Sequence, residues 1–376
     1  MSGPLKGLTV LEMAGIGPGP FCAMMLADMG ADVIRIDRKV PGFLGGGGTL
    51  IDRGRRTIAL DIKKPGAADV VRRLMLKSDA LIEGFRPGVM ERLGLGPEES
   101  LRANPKLVYG RMTGWGQTGP LAHAAGHDIN YIALTGVLNA MGYADRPPTP
   151  PLHVVGDLGG GAMMLAFGVV CALLHARQTG QGQVVDAGIS DGVALLSTGY
   201  HGMRANGKWL AQRQSNMLDG AAHFYGCYDC ADGKFVSIGS IEPQFYAELL
   251  QRCSIDDADF KDQWAREQWP ALRDKLAALF RTRTRDQWCE LLEGTDVCFA
   301  PVLDFEEAAK HPHNQARGSF METGGVTHPS PSPRLSRTPA QAGSVPTPGE
   351  HTDTLLAEAG FSATDVQTLR SSGVID

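Results

Sequence analysis

The spacing of apolar and polar positions alternates between two patterns along the first two-thirds of the chain. Short runs of aliphatic and β-branched residues predict strands, and stretches with apolar residues three to four positions apart predict helices. The predicted strands are Leu8–Met13, Val33–Ile36, Asp79–Glu83, Leu107–Met112 and a buried strand at Gln183–Ala187. The predicted helices are Pro20–Met29, Ala67–Lys77, Asp128–Met141 and Leu158–Arg177. Such alternation is typical of an α/β fold.

The last third of the chain follows a different pattern. The apolar spacing lapses around Leu210–Asn216, which we interpret as a linker. Tyr225–Cys230 and Lys234–Ile238 then flank an Asp-Gly turn and predict a hairpin. Helical spacing returns at Gln244–Cys253 and Trp269–Arg281, so this part of the chain predicts a small α+β unit.

These patterns predict two domains, as the length of 376 residues also suggests. We expect a large domain over 1–210, a small one over 220–305 and a return to the large domain over 306–376. Within that return, 322–350 is rich in Pro, Gly, Ser and Thr and predicts extended loop, and Thr364–Arg370 predicts a final helix.

The composition narrows the class of protein. Hydrophobic residues make up 43% and charged residues 20%, and the net charge of −5 argues against a general nucleic-acid binder. Seven cysteines do not suggest a disulfide framework, and we assign no function to the single CxxC pair of Cys227 and Cys230. The longest apolar run, Ala162–Leu174, is too short to span a bilayer. The N-terminus lacks a signal-peptide pattern, so we expect a cytoplasmic protein.

A glycine-rich turn follows the first predicted strand, at Gly15–Pro20, and Asp37 ends the second strand. This arrangement is similar to a dinucleotide-binding fingerprint, but the glycine spacing differs from it. Pro18 and Pro20 also lack the backbone N–H groups that a pyrophosphate would need. We therefore interpret the glycines as a tight turn that packs a helix on the sheet.

His127, Asp128 and Asp157 carry side chains suited to proton transfer. Taken alone, His127 is typical of a structural histidine, and each aspartate is typical of a helix cap. However, the turn at Gly126 places His127 and Asp128 at a predicted helix start, where free N–H groups favour developing negative charge. Small residues that would let a substrate approach the backbone surround Asp157; they are Gly156, Gly159, Gly160 and Gly161.

Several separate motifs together give the chain a recognisable signature. They are Met112-Thr113-Gly114-Trp115-Gly116-Gln117-Thr118-Gly119-Pro120, Gly126-His127-Asp128-Ile129-Asn130-Tyr131, Val155-Gly156-Asp157 and Ile241-Glu242-Pro243. This signature resembles the family III CoA-transferase superfamily, and within it the enzymes that epimerise 2-methyl-branched acyl-CoA thioesters. The resemblance runs from Gly3 to about Pro301 and returns at Gly360–Ser362 and Gly373–Ile375.

The resemblance implies an architecture that periodicity alone does not indicate. The large domain would be a Rossmann-like α/β domain with the small α+β domain inserted into it. Two subunits would interlink like chain rings to form a homodimer. The active site would then lie between the large domain of one subunit and the small domain of the other.

The resemblance also implies a CoA site. Ile16 would lie on the wall that binds the acyl group, and Gly126 and Tyr131 would line the CoA path. Basic residues are interleaved with the predicted strands at Arg38, Arg53, Arg55, Arg56, Lys63, Arg86 and Arg92. Such residues usually form a solvated face, but guanidinium groups also suit the phosphates of CoA. The resemblance assigns CoA contacts to Arg38, Leu60, Asp61, Ile62, Lys63, Gly84, Phe85, Arg86 and Arg92.

Epimerisation requires a proton to leave one face of C2 and another to arrive at the opposite face. The racemase pattern implies that His127 serves one face and Asp157 the other, and that Glu242 orients the His127 ring. We interpret Asp128 as structural, with its backbone N–H donating to the enolate oxygen. No metal or redox cofactor is expected.

Two other functions stay open at this point. A CoA-transferase would use Asp128 as a nucleophile to form an acyl-enzyme anhydride, and it would need no base at His127. A CoA-binding protein without catalytic activity is a third alternative, which the presence of His127, Asp157 and Glu242 argues against. The sequence does not identify the acyl chain.

Overall fold

A computed structural model describes residues 3–40 and 48–376 of the protein. The chain divides into two compact units, each described below by itself. The first unit comprises Met1–Val137, Pro151–Ser197 and Met321–Asp376, and the second comprises Leu138–Pro150 and Thr198–Phe320. The second unit is thus wider than the predicted 220–305, and the predicted linker at 210–216 lies inside it. Since the chain leaves the first unit where a helix ends at Leu196, no polar linker marks the boundary.

A six-stranded parallel sheet forms the centre of the first unit. Its strands are β1 (Thr9–Met13), β2 (Asp32–Arg38), β3 (Arg55–Leu60), β4 (Ala80–Glu83), β5 (Val108–Thr113) and β6 (Val184–Gly188). They lie in the order β3-β2-β1-β4-β5-β6. This is the Rossmann order, in which the order of the strands reverses between β1 and β4 and a crevice opens at the carboxyl ends of the strands. The predicted α/β class is confirmed.

Two strands differ from the prediction. Strand β3 was not predicted, because its first residues, Arg55 and Arg56, carry charges that are unusual in a central layer. Arg55 is buried and pairs with the buried Glu12 at 2.9 Å, and breaking such a pair costs about 3–5 kcal/mol. Strand β6 was predicted to be buried, but it is one of the two edge strands and Val184 is exposed.

Seven α-helices and a π-helix at Val155–Met163 accompany the described part of this sheet. The α-helices are α1 (Pro18–Asp28), α2 (Ala67–Met75), α3 (Val89–Arg92), α4 (Pro97–Ala103), α5 (Asp128–Ala133), α6 (Met164–Thr179) and α7 (Ile189–Leu196). Helix α5 is shorter than the predicted Asp128–Met141, because Gly136, with a φ of 83°, turns the chain toward the second unit. The predicted helix at Leu158–Arg177 begins earlier, as the π-helix, and continues as α6.

Close backbone contact explains the glycines of the π-helix. A Cβ atom on Gly192 of α7 would lie 1.9 Å from the carbonyl oxygen of Gly160, so only glycine allows these two helices to approach so closely. The sequence at Gly159–Gly161 thus serves packing, whatever its part in the site.

Helix α6 has one buried and one exposed apolar face. By length and composition alone, Leu152–Thr179 could cross a membrane. However, α6 packs against β5 and β6 and buries Leu165, Val169 and Leu173 in the first unit. We therefore interpret α6 as a core helix of the sheet.

The second unit has an antiparallel sheet of three strands, β7 (Tyr225–Asp229), β8 (Phe235–Gly239) and β9 (Phe299–Val302). The pairing of β7 with β8 confirms the predicted hairpin. Its helices are α8 (Thr198–Ala205), α9 (Pro243–Arg252), α10 (Trp269–Phe280), α11 (Arg285–Leu292), α12 (Phe305–Lys310) and α13 (Pro312–Ala316). Its core is rich in aromatic residues, among them Phe224, Tyr246, Trp269 and Trp288.

The closing segment returns to the first unit. It contains β10 (Phe320–Thr323), β11 (Val326–Pro329), α14 (Thr352–Glu358) and α15 (Ala363–Ser371). Leu355, Leu369 and Val374 are buried in the same core as the parallel sheet, which confirms that the final helix is part of the fold. The stretch predicted as loop at 322–350 holds β11 and the end of β10, because β10 and β11 pair with each other.

Candidate active site

A cavity of about 760 Å³ lies at the carboxyl ends of the parallel strands. The segments that follow β1, β4 and β5 line it, together with the start of the π-helix. His127 and Asp157 both lie on its wall. The fold therefore brings together two proton-transfer groups that are far apart in the sequence, at the edge where α/β folds bind ligands.

His127 is the residue that precedes the first turn of α5. Its backbone is extended, and its N–H donates to Oδ1 of Asn130 at 3.0 Å, which closes the turn. This residue, and not Asp128, is the N-cap, so the interpretation of Asp128 as a cap is wrong. The His127 side chain is exposed to the cavity at the end of the helix where backbone N–H groups are free.

The Asp128 carboxylate holds the π-helix in place. Its Oδ1 accepts a hydrogen bond from the backbone N–H of Asp157 at 2.7 Å. A Cβ atom on Gly156 would lie 2.1 Å from that same oxygen, so glycine is required there. Asp128 thus links the start of α5 to the first turn of the π-helix, as its structural interpretation requires.

Asp157 lies in the first turn of the π-helix and is partly buried. Burial, followed by the negative charge of Asp128, raises the pKa of Asp157 to about 6, while His153 and His127 act in the opposite direction. A carboxyl group with a pKa near 6 can both accept and donate a proton around neutral pH. Asp157 lies within the helix and does not cap it, and π-helical turns are frequent at functional sites.

Glycines on two other segments make room for the site. A Cβ atom on Gly17, whose φ is 66°, would lie 3.0 Å from Oδ2 of Asp157. A Cβ atom on Gly114 would lie 2.0 Å from the Tyr131 ring, and Gly126 is similarly close. The Tyr131 hydroxyl donates to the carbonyl oxygen of Gly126. Gly114 and Gly126, which belong to two of the sequence motifs, therefore leave room for the Tyr131 ring.

A second cavity of about 430 Å³ shares part of this wall. Trp115 and Tyr131 lie edge to face on it, with ring centroids 4.8 Å apart. The predicted residues that line this cavity are Gly84, Phe85, Arg86, Gly126, His127 and Tyr131. The predicted residues that line the larger one are Ile16, Gly84, Arg86, Gly126, His127, Tyr131 and Asp157.

The basic residues divide into two groups. Three have carboxylate partners in the first unit: Arg53 pairs with Asp28, Arg55 with Glu12, and Arg56 with Asp32 and Glu358. The others are exposed, and within residues 3–40 and 48–376 none of them has a carboxylate partner; they are Arg38, Lys63, Arg86 and Arg92. Arg38 ends β2 and is level with the end of β3 in the sheet, and Lys63 follows β3 closely, so both lie at the carboxyl edge. Charges without internal partners are available for phosphate groups.

Other predicted residues lie outside both cavities. The Leu60 side chain is part of the hydrophobic core, and Ile62 packs against it. Asp61 accepts a hydrogen bond from the Lys63 backbone N–H at 3.1 Å. Glu242 belongs to the second unit, where it is the exposed N-cap of α9.

The sequence analysis missed other residues of the larger cavity. His153 lies on its wall, one turn before Asp157, and Arg35 and Glu83 contribute charged groups. The spacing of four positions between His153 and Asp157 is a signal that could have identified the histidine. The part of the chain that the structure describes holds no group of three or more His, Cys, Asp or Glu residues arranged for a metal ion.

Comparison with known proteins places this geometry in context. The sequence model of the family described as CoA-transferase family III matches residues 5–352. The chain is 44% identical to α-methylacyl-CoA racemase of Mus musculus over 99% of its own length and 97% of the relative. It is 45% identical to α-methylacyl-CoA racemase of Homo sapiens, with the same coverage of both chains. Among solved structures, a CaiB/BaiF family protein from Brucella suis superimposes with a TM-score of 0.80 at 26% identity, over 96% of this chain and 100% of that one.

Proposed function

The chain belongs to CoA-transferase family III, and within this family we propose that it is an isomerase that epimerises 2-methyl-branched acyl-CoA thioesters at C2. The reaction is a two-base 1,1-proton transfer through an enolate. The observation that carries this proposal is the presence of His127 and Asp157 on the wall of one cavity. Full-length identity of 44–45% to racemases supports the same activity.

The proposed mechanism assigns one proton transfer to each of the two groups. Either His127 or Asp157 removes the α-proton from one face of C2, and the other group protonates the opposite face. The roles reverse with the direction of reaction. The pKa of Asp157, about 6, suits both roles, because the carboxyl group is neither permanently charged nor permanently neutral near pH 7.

The enolate oxygen needs a hydrogen-bond donor as negative charge develops on it. We propose the backbone N–H of Asp128 for this, since Asp128 is the first residue of α5 and the first N–H groups of a helix have no partner within the helix. The reaction then requires no metal or redox cofactor, because side chains and backbone of the protein supply every group.

The position of Asp128 argues against the transferase alternative. A nucleophilic carboxylate must approach the thioester carbon and form a covalent bond to it. Here Oδ1 of Asp128 accepts the Asp157 N–H at 2.7 Å, and covalent chemistry at this carboxylate would disturb the turn that presents Asp157. The geometry favours Asp128 as a structural group and His127 as the base.

The proposed activity has a direct assay. A single epimer of a 2-methylacyl-CoA is incubated with the protein in the absence of any carboxylic acid, and the epimer ratio is followed by chiral chromatography. We expect both epimers to appear with the thioester intact. Loss of CoA ester only after a carboxylic acid is added would instead identify a transferase.

We further propose that the unpaired basic residues bind the phosphates of CoA. Arg38→Ala and Lys63→Ala should each raise the KM for CoA thioesters by about ten- to a hundred-fold, because a charge-assisted hydrogen bond contributes roughly 1.5–3 kcal/mol to binding. Short pantetheine thioesters lack the ribose phosphate and pyrophosphate, so their KM should stay the same. Steady-state kinetics with both substrates measures the difference.

Arg102→Ala is the matched control for this experiment. Arg102 is an exposed arginine of α4 that pairs with Glu98 on its own helix at 2.8 Å, and it lies outside both cavities. Its replacement should change neither KM. If Arg38→Ala and Lys63→Ala raised the KM for both kinds of thioester equally, these residues would not bind the phosphates.

We also propose that the protein acts as a cytoplasmic homodimer with interlinked subunits, in which Glu242 of one subunit orients His127 of the other. The exposed face of α6 supports an assembly. Phe167, Val170 and Leu174 of α6 continue the spacing of three and four residues from Met163 at the end of the π-helix and form an apolar stripe, on which Phe167 is 70% exposed. A stripe of this kind is typical of a protein–protein contact.

A further inference from the structure

One titratable group of the larger cavity has no part in the mechanism described above. His153 lies on the same wall as Asp157, one turn earlier in the chain, and its side chain is exposed. Both residues belong to the first unit, and the chain between them is continuously helical, since a 3₁₀ turn at Leu152–Val154 leads directly into the π-helix. Residues about one turn apart lie on the same side of a helix.

The backbone beside His153 is unusual. Leu152 has a φ of 60°, a left-handed conformation that a branched side chain rarely adopts, and its own side chain is exposed. No buried contact of the leucine side chain explains this strain. Leu152 is the first residue of the helical turn that contains His153, and His153 lines the cavity. Strain of this kind clusters at functional sites.

Asp157 and His153 line the same cavity. Burial and then the charge of Asp128 raise the pKa of Asp157, whereas His153 and His127 act in the opposite direction. The shared wall and the helical connection place His153 within electrostatic reach of Asp157. The other charged and titratable groups that line the cavity are Arg35, Asp52, Glu83, Arg86 and Tyr131.

Before each new turnover in the same direction, the two bases of a racemase must return to their starting protonation states. After Asp157 has removed the α-proton, its carboxyl group is neutral, and it must lose that proton before it can act as a base again. Asp157 is partly buried and lines the cavity, whereas His153 is open to solvent. An exposed imidazole on the same wall as a partly buried carboxyl group is suited to carry a proton from that group to solvent.

We propose, on the basis of the function proposed above, that His153 is a positioning residue that acts through Asp157 and exchanges the Asp157 proton with solvent. The neutral carboxyl group of Asp157 gives its proton, through a solvent water molecule, to an unprotonated ring nitrogen of His153, which leaves a carboxylate and an imidazolium. The imidazolium then gives the proton to water or buffer. No bond other than these N–H and O–H bonds forms or breaks.

Hydrogen exchange on each face of the substrate tests this proposal. Each pure epimer is incubated briefly in D₂O, and mass spectrometry measures deuterium at C2 of the recovered starting epimer, relative to racemisation. The epimer that uses Asp157 is identified as the one whose exchange Asp157→Asn abolishes. For this epimer, His153→Asn and His153→Gln should lower deuterium in the recovered starting epimer by roughly three- to ten-fold, because the unexchanged proton returns to C2. Added imidazole should restore the exchange.

The other epimer is an internal control, since His127 removes its proton and His153 has no part in that step. His123→Asn is the matched control variant, because His123 is exposed, lies in the same unit and is outside both cavities. Equal loss of exchange for both epimers, or no loss for either, would overturn the proposal. Wild-type protein that exchanged no α-proton would overturn the racemase function itself, which is a distinct outcome.

Discussion

His127→Ala is expected to lower racemisation by about a hundred- to ten-thousand-fold, because the loss of a general acid–base group typically has an effect of that size. Either direction of the reaction needs His127, as the base in one and as the acid in the other. The variant should bind CoA thioesters almost as tightly as the wild type, since its phosphate-binding groups are unchanged. Racemisation by chiral chromatography and binding by calorimetry measure the two properties separately.

Partial exchange should survive in this variant. Asp157 can still remove and return the proton on its own face, so one epimer should still take up deuterium without inverting. His123→Ala, a replacement of an exposed histidine outside both cavities, should leave the racemisation rate unchanged. A His127→Ala protein that kept more than a few tenths of the wild-type rate would refute the assignment of His127 as one of the two bases.

Mixing two inactive variants should restore activity if the site is shared between subunits. Glu242→Ala should be impaired because His127 would lose its orienting carboxylate. When His127→Ala and Glu242→Ala proteins are refolded together, each heterodimer should carry one intact site and one doubly damaged site. Random pairing predicts about a quarter of the wild-type rate, well above either parent.

The control for this experiment is a pair whose residues lie in the same unit. His127 and Asp157 both belong to the first unit, so mixing His127→Ala with Asp157→Asn should restore nothing. Native mass spectrometry establishes that heterodimers have formed in both mixtures. If heterodimers of His127→Ala and Glu242→Ala were inactive, the proposed shared site would be wrong.

Much of the fold follows from local patterns. The alternation of apolar runs correctly predicted β1, β2, β4 and β5 and the hairpin of β7 with β8, because each has a regular spacing or a clear turn. Strand β3 was not predicted, because its arginines form ion pairs with carboxylates that are far away in the sequence. No local pattern shows that Glu12 lies next to Arg55.

The π-helix shows a second kind of limit. The sequence predicts only a helix over Leu158–Arg177 that begins among glycines. The wider turn depends on the backbone of α7 approaching at Gly160 and on Asp128 holding the Asp157 N–H. Both are long-range contacts, so the exact presentation of Asp157 could not be predicted from spacing.

The site was predicted in part by motif and in part missed. The motifs single out His127 and Asp157, and the structure places both on one cavity wall and gives the reason for the glycines around them. His153 was missed because it lies in a Pro-rich stretch before the predicted helix, so its spacing of four positions from Asp157 was not recognised as one helical turn. The helical connection between the two residues places both on one cavity wall.

A two-base proton transfer at C2 has a decisive test, in which one pure epimer is incubated with wild-type protein in D₂O and no carboxylic acid. We expect the inverted epimer to carry deuterium at C2 from the first turnovers and the CoA thioester to stay intact. Inversion without deuterium would contradict the two-base mechanism. Absence of inversion, together with an acyl group trapped on Asp128 by hydroxylamine, would contradict the racemase function and identify a transferase.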